Sequence, residues 1–287
     1  MKMQFSKIMC FALLVLGCTI YGQQAKKDKK AASIDLTHWK ITIPEEDPKE
    51  AGSPIEIGYP EIMDYATNPV LKKWMYNDEK DKSIVFYAYP SGTTTANSHY
   101  SRSELRETID PNNNNVNWTF AQGGTFKATY AMDAISRGKD GKYNKVIIAQ
   151  IHGRLTNAQR ELIGQKDNNA APMLKIYWDD GKIRVKTKVL KNPKASDIEM
   201  LPVSAWTDDE GISFKEKVDF DKFTIEVKIS NGRMEVILNG TETLVYNDIN
   251  IKKWGIFENY FKAGNYFQSK EPGTYAKVKI YALTVSH

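Results

Sequence analysis

Apolar and polar residues alternate with a period of two along most of this 287-residue chain, and Gly, Asn, Asp and Pro interrupt the alternation at short intervals. A period of two sends successive side chains to opposite faces of a strand. Residues 38–44 read as a strand that stops at Pro44, and residues 45–59, with Pro48, Gly52, Pro54 and Gly58, read as a loop. Strands follow at 83–89, 100–108, 124–132 and 145–152, with a turn at Pro111 and its four following asparagines. Residues 173–178 and 182–189 flank Asp179-Asp180-Gly181, and 223–229 and 234–238 flank Asn231-Gly232, so each pair predicts a hairpin. Asn239-Gly240 marks another turn before a strand at 243–246, and strands at 254–268 and 275–285 finish the chain. Helical patterning is confined to a turn or two near 61–65 and 155–163. The longest irregular stretch is 191–217, with Pro193, Pro202 and Gly211; an excursion of that length is a candidate groove wall. Many strands, frequent turn dipeptides and no βα alternation predict one all-β domain over residues 33–287, an antiparallel sandwich or jelly roll.

The ends and the charge narrow the setting. Lys2 and Lys7 precede or flank a short apolar run over 8–16, which is too short to span a bilayer and fits a signal peptide over 1–22. Two processing readings stand side by side. Val15-Leu16-Gly17-Cys18 resembles a lipoprotein box, with Cys18 lipidated and anchored in the outer membrane; cleavage after Gly22 would release a secreted protein. Residues 23–32 are Lys-rich and lack large apolar side chains, as a flexible linker does. Removing 1–22 takes two lysines and no acid, leaving 38 basic against 35 acidic residues, or +3. That balance gives no reason to expect nucleic acid as a partner, and any attraction for a polyanion must come from local clustering. Both cysteines, Cys10 and Cys18, fall in the export segment, so stability must come from a core and not from disulfides. The chain is expected to be exported and monomeric, with no metal or cofactor.

Three strands carry groups suited to chemistry. In Tyr260–Gln268 the alternation puts Tyr260, Lys262, Tyr266 and Gln268 on one face, with Gly264 between them where a ligand could approach the backbone, and Phe261, Ala263 and Phe267 on the other. In residues 101–107, Arg102, Glu104 and Arg106 share a face opposite Leu105; the carboxylate is expected to hold both guanidiniums and leave donors free for an external anion. In residues 145–152, strict alternation groups Val146, Ile148, Gln150 and His152 against Ile147, Ala149 and Ile151. His38, His99 and His287 lack comparable company, and His287 is expected to be solvated. No nucleophile elbow, phosphate loop, zinc spacing or dinucleotide fingerprint is present. The set offers cations and an amide for a carboxylate, plus a histidine and tyrosine for protons, and lacks the carboxylate pair of most glycoside hydrolases. It suits β-elimination on a uronic acid polymer.

The three blocks Arg102-Ser-Glu-Leu-Arg106, Gln150-Ile-His152 and Tyr260-Phe-Lys-Ala-Gly-Asn-Tyr-Phe-Gln268 resemble, in order, the signature blocks of the polysaccharide lyase family 7 alginate lyases. The resemblance implies a β-jelly roll whose concave sheet forms a groove for alginate. It implies catalytic roles for Arg102 and Gln150 on the uronate carboxylate, for His152 as base on guluronate, and for Tyr266 as acid, and as both base and acid on mannuronate. Glu104, Arg106, Tyr260, Lys262 and Gln268 would bind or support substrate. Isoleucine between Gln150 and His152 goes with tolerance for guluronate in this family. The chain departs from the pattern at Asn265, where a small apolar residue is usual, and at Phe267, where asparagine is usual. A non-catalytic carbohydrate-binding jelly roll and a lyase for another polyuronate such as glucuronan are the competing readings. A laminarinase-like hydrolase would need Glu-x-Asp-x-x-Glu, and the nearest match, Asp197-Ile198-Glu199, falls in the expected loop.

Overall fold

The computed structural model describes residues 32–287; the expected export segment, Cys18 and all of the linker but Ala32 lie outside the described residues. The strands in chain order are β1 Trp39–Asp47, β2 Glu50–Ile57, β3 Met75–Asn77, β4 Ile84–Ala88, β5 Arg102–Glu107, β6 Trp118–Thr119, β7 Gly124–Ile135, β8 Val146–Arg154 and β9 Asn169–Asp179. They continue with β10 Lys182–Leu190, β11 Trp206–Asp208, β12 Ile212–Lys217, β13 Phe223–Ser230, β14 Arg233–Leu238, β15 Glu242–Tyr246, β16 Glu258–Phe267 and β17 Ala276–Ser286. Short helices are α1 Asn157–Leu162, α2 Asp197–Met200 and α3 Ile249–Trp254. One sheet runs β11-β10-β9-β8-β16-β5-β1-β2, with β12 along β10 and β6 along β16; the other runs β15-β14-β13-β7-β17-β4-β3. Pairing is antiparallel in both sheets. The expected all-β jelly roll is the fold observed.

The core lies between the sheets. Phe261 of β16 meets Phe126 of β7 at 5.4 Å between ring centroids and Trp118 of β6 at 4.8 Å. Each such ring, fully buried, contributes about 1.5–3 kcal/mol, and Phe261→Ala would cost about 3–5 kcal/mol through the cavity it leaves. The apolar faces expected for Phe261, Ala263, Phe267 and Leu105 all point into this core.

Several expectations need correction. β1 does not stop at Pro44 but continues to Asp47 and turns into β2, inside the stretch expected to be a loop. β5 pairs with β1 only over Trp39–Thr42, and the β1–β2 register slips between Thr42 and Glu46. Pro44 therefore sits where a missing N–H breaks no regular ladder. The 191–217 stretch is mostly regular, holding α2, β11 and β12. The strand expected over 254–268 begins only at Glu258, because Asp248 caps α3 through hydrogen bonds to the N–H groups of Asn250 and Ile251. His287 is exposed, as expected, but it is not without company: Nε2 lies 2.7 Å from buried Glu107 Oε1, and its ring stacks on Trp118.

The alternation in β8 also fails at one point. Ile147 pairs with Tyr177, but Ala149 pairs with Ile176, so Ile148 is an extra residue relative to β9. This bulge sends Val146, Ile148, Ala149 and Ile151 to the core and turns Ile147, Gln150 and His152 outward. Tyr130 of β7, fully buried, donates its hydroxyl to the Ile148 carbonyl at 3.2 Å. The opposite sheet thus holds the bulge that aims Gln150 and His152.

Candidate active site

The outer face of the first sheet carries a cavity of about 870 Å³. Register alignment builds it in rows. One row crosses four strands as Tyr177, Ile147, Tyr266 and Arg102. The next is Gly264, Glu104, Thr42 and Glu56. The third crosses five strands as Lys175, Gln150, Lys262, Arg106 and Lys40. The fourth holds Pro172, His152 and Tyr260. Arg102, Arg106, Gln150, His152, Tyr260, Lys262, Tyr266 and Gln268 all line the cavity, so eight of the nine residues singled out from sequence meet there.

The ninth, Glu104, lies beneath it with no solvent exposure. Its Oε2 accepts from Arg102 at 3.0 Å and from Lys262 at 2.5 Å, and its Oε1 accepts from Gln150 Nε2 at 2.6 Å. The expected pairing with both guanidiniums is not formed. Lys262, diagonal to Glu104 across the β16–β5 pair, meets this carboxylate, and Arg106 does not. Arg106 instead donates to Asn114 Oδ1 at 2.7 Å and lies 4.1 Å over the Tyr260 ring. Burial pushes Lys262 down to about 8, with Arg102 adding to the fall and Glu104 opposing it. Glu56 would be raised by burial, but Lys40, Thr42 and Arg106 hold it below the usual carboxylate range.

Gly264 serves the backbone and not a ligand. Its φ is +132°, and a Cβ there would lie 2.8 Å from the Ser103 carbonyl oxygen. The β16–β8 register slips between Ala263 and Tyr266, so this glycine allows the kink that aims Tyr266 into the cavity. Beside it, the unusual Asn265 is fully buried and donates to the carbonyls of Phe86 at 3.0 Å and Ala276 at 2.8 Å, tying β16 to the second sheet. Phe267 fills the core.

His152 Nδ1 lies 2.9 Å from the Gly153 carbonyl, an acceptor only, so Nδ1 carries the proton and Nε2 keeps its lone pair. Its ring stacks on Tyr260 at 5.2 Å. Burial pushes the imidazole down to about 3, and Lys262, Arg102 and Arg106 push the same way against the Gly153 contact. It is neutral at neutral pH. The Arg102 guanidinium stands 3.9 Å from the centre of the Tyr266 ring, and Tyr100 meets that ring edge-on at 6.3 Å. Arg102 also donates to Ser98 Oγ, while its Nε is buried without a partner.

Sequence reasoning missed several lining residues. Lys175 and Tyr177 alternate with buried Leu174, Ile176 and Trp178, and Lys40 and Thr42 with Trp39, Ile41 and Ile43; polar alternates in otherwise apolar strands were the available signal. Residues 95–100, including His99, form a wall that no pattern announced. Asn97 reaches Asp167, 3.2 Å away in the loop after α1. Of the wall expected over 191–217, Val203 and Asp208 contribute.

A two-sheet sandwich bearing a cation-rich, phenol-lined groove is the architecture of a polysaccharide lyase. A family model described as alginate lyase matches residues 34–287. Alginate lyase A1-II′, a member of polysaccharide lyase family 7, is 30% identical over 88% of this chain and 96% of its own, with a TM-score of 0.68. A substituted form of A1-II′ in complex with substrate (GGMG) is 29% identical over 90% and 97%, with a TM-score of 0.65. An alginate lyase from Pseudomonas aeruginosa, 24% identical over 88% and 99% with a TM-score of 0.64, shares the fold. No curated protein sequence gave a match. The chain belongs to the alginate lyase family, polysaccharide lyase family 7.

Proposed function

We propose that this protein cleaves 1,4-linked uronate chains of alginate by β-elimination and releases 4,5-unsaturated oligosaccharides. The observation that carries this is the meeting of a neutral, Nδ1-protonated His152 and the Tyr266 phenol in one groove, beside Arg102 and Gln150 held by a single buried carboxylate. The substrate complex of A1-II′ supports an oligouronate as the occupant.

The C5 proton is acidified by the neighbouring C6 carboxylate, and neutralising that carboxylate stabilises the enolate-like charge that develops. Arg102 and Gln150 each use only part of their donors on Glu104 and Ser98, leaving N–H groups for the uronate. His152 Nε2 takes the C5 proton, the electron pair forms the C4–C5 double bond, the C4–O4 bond breaks, and Tyr266 gives its proton to O4. On mannuronate Tyr266 would act as both base and acid. Arg102 stands against the ring face that gains charge as Tyr266 gives up its proton. Arg106, Lys262, Tyr260 and Gln268 bind neighbouring sugars, and Glu104 sets the positions of Arg102, Lys262 and Gln150.

Incubation with polyguluronate, polymannuronate and glucuronan, read as near-ultraviolet absorbance of the new double bond, tests the reading. Rising absorbance on the alginate blocks is expected. Absorbance on glucuronan alone, or tight binding without any product, would overturn it. We also infer export from the apolar N-terminal segment, with two processing outcomes: if cleavage precedes a lipidated Cys18, Cys18→Ala should move the protein from the membrane to the soluble fraction, whereas a wild-type protein that is already wholly soluble would favour cleavage after Gly22.

A further inference from the structure

The second sheet carries an aromatic surface that the groove chemistry does not use. At its β4–β3 edge, Phe86, Ala88, Ala276 and Val278 face the core. Their alternates Tyr87 and Lys277, directly paired across β4 and β17, therefore face outward, as does Tyr76 beside buried Met75. Tyr87 is the centre of a ring cluster: it stacks on Trp74 at 5.8 Å and 9°, meets Tyr89 at 6.0 Å, and meets Tyr275 at 6.3 Å. Tyr89 and Tyr275 are 38% and 37% exposed. Lys277 Nζ lies 5.8 Å from the centre of the Tyr87 ring. A depression of about 400 Å³ is lined by Lys73, Tyr76, Tyr87, Tyr275 and Lys277, with no carboxylate among them.

We propose that this surface is a second, non-catalytic binding site for a polyuronate chain. Phenol faces suit the C–H faces of pyranose rings, and the two lysines match the carboxylates such a chain carries. Lys73 already reaches Glu45 at 3.1 Å, so Lys277 is the cation that favours an acidic over a neutral glycan, and an apolar partner would leave the phenol hydroxyls unpaired. The site sits on the sheet opposite the groove, so it would hold polymer near the enzyme without entering the reaction. The choice of polyuronate rests on the function proposed above.

Affinity electrophoresis through gels containing alginate, with a neutral glucan gel as control, tests it without depending on turnover. The probe variants are Tyr275→Ala and Tyr275→Ala combined with Lys73→Glu; both positions are exposed, so the fold should survive, as thermal unfolding would verify. Retardation in alginate should weaken about 3-fold in the single variant and about 10-fold in the double, while Tyr275→Phe keeps it. Turnover of tetrasaccharides should stay at wild-type level in all three. Unchanged retardation in the double variant, equal retardation by the neutral glucan, or a dimer that Tyr275→Ala dissociates would overturn the site. Absence of lyase activity with retardation intact would count against the proposed reaction and leave the binding site standing.

Discussion

Glu104→Gln keeps the shape of the side chain and removes the single charge that faces Arg102 and Lys262. Gln150 can rotate its amide to meet the new one, so the hydrogen-bond geometry survives and the electrostatics do not. The two cations respond differently. The fall of Lys262 from 10.5 to about 8 already sets on the order of 3 kcal/mol against its ammonium in the folded protein. At pH 7 a lysine can lose only about 5 kcal/mol before it sheds its proton. Its share of the variant's loss is therefore capped near about 1–2 kcal/mol. Arg102 cannot shed its proton, and losing a charged partner while buried costs it about 1–3 kcal/mol. The total is about 2–5 kcal/mol, a drop in melting temperature of roughly 5–20 °C for a domain of this size. The sign of the pH dependence follows. Above pH 8 Lys262 of the wild-type fold is already mostly neutral, so its share vanishes and the deficit should be smaller at pH 9 than at pH 7. Thermal unfolding by circular dichroism at both values, for both proteins, measures this. A deficit under about 1 kcal/mol at pH 7 would show that Glu104 is not the counter-charge, and a deficit that grows with pH would refute the assignment to Lys262.

Tyr266→Phe deletes one hydroxyl and should lower turnover by about 100-fold or more with little change in binding; near-wild-type turnover would remove it as the acid. His152, held near 3 against its ordinary 6.5, stays neutral in the fold while the unfolded chain takes up a proton. Stability from this residue is thus complete above about pH 6.5 and is lost as pH falls toward 3, and the acid limb of kcat/KM should lie well below 6; an imidazole midpoint near 6.5 by NMR would refute this. Tyr130→Phe leaves the Ile148 carbonyl without its 3.2 Å partner, so a loss of about 1–3 kcal/mol and a fall in turnover are expected from a residue that never meets substrate, while unchanged turnover would mean the bulge holds itself.

Where the alternation ran unbroken, the sequence was legible. Arg102, Glu104 and Arg106 came out on one face because β5 has no irregularity, and the same holds for Tyr260 and Lys262. The failures occur where backbone geometry overrides period. Nothing in the apolar run 146–149 says which residue will bulge, because all four side chains suit either face; the bulged Ile148 carbonyl meets the Tyr130 hydroxyl, a partner on another strand. Gly264 was noticed, but its reason lies in the approach of the Ser103 carbonyl from the next strand. Pairing partners were equally hidden. Glu104 meets Lys262, its diagonal neighbour across β5 and β16, and not Arg106 two residues along its own strand, a pairing no single strand encodes.

Register also explains why a chain with so small a net charge can hold a groove with more cations than carboxylates. Lys40, Arg106, Lys262 and Lys175 come from four different strands and stand in one transverse row, with only Gln150 among them neutral. With Arg102 they make five cations, against carboxylates at Glu56, Asp208 and buried Glu104. Each cation is ordinary within its own strand, and the excess exists only after the strands align. Lys262 holds its proton less tightly than a solvated lysine, through burial first and the neighbouring Arg102 second. A chain of uronates laid along the row supplies the missing negative charge, one carboxylate per sugar. Binding would then relieve repulsion that folding created, and it would do so most where Arg102, Lys262 and Gln150 converge, which is where the proposed reaction would develop its enolate charge.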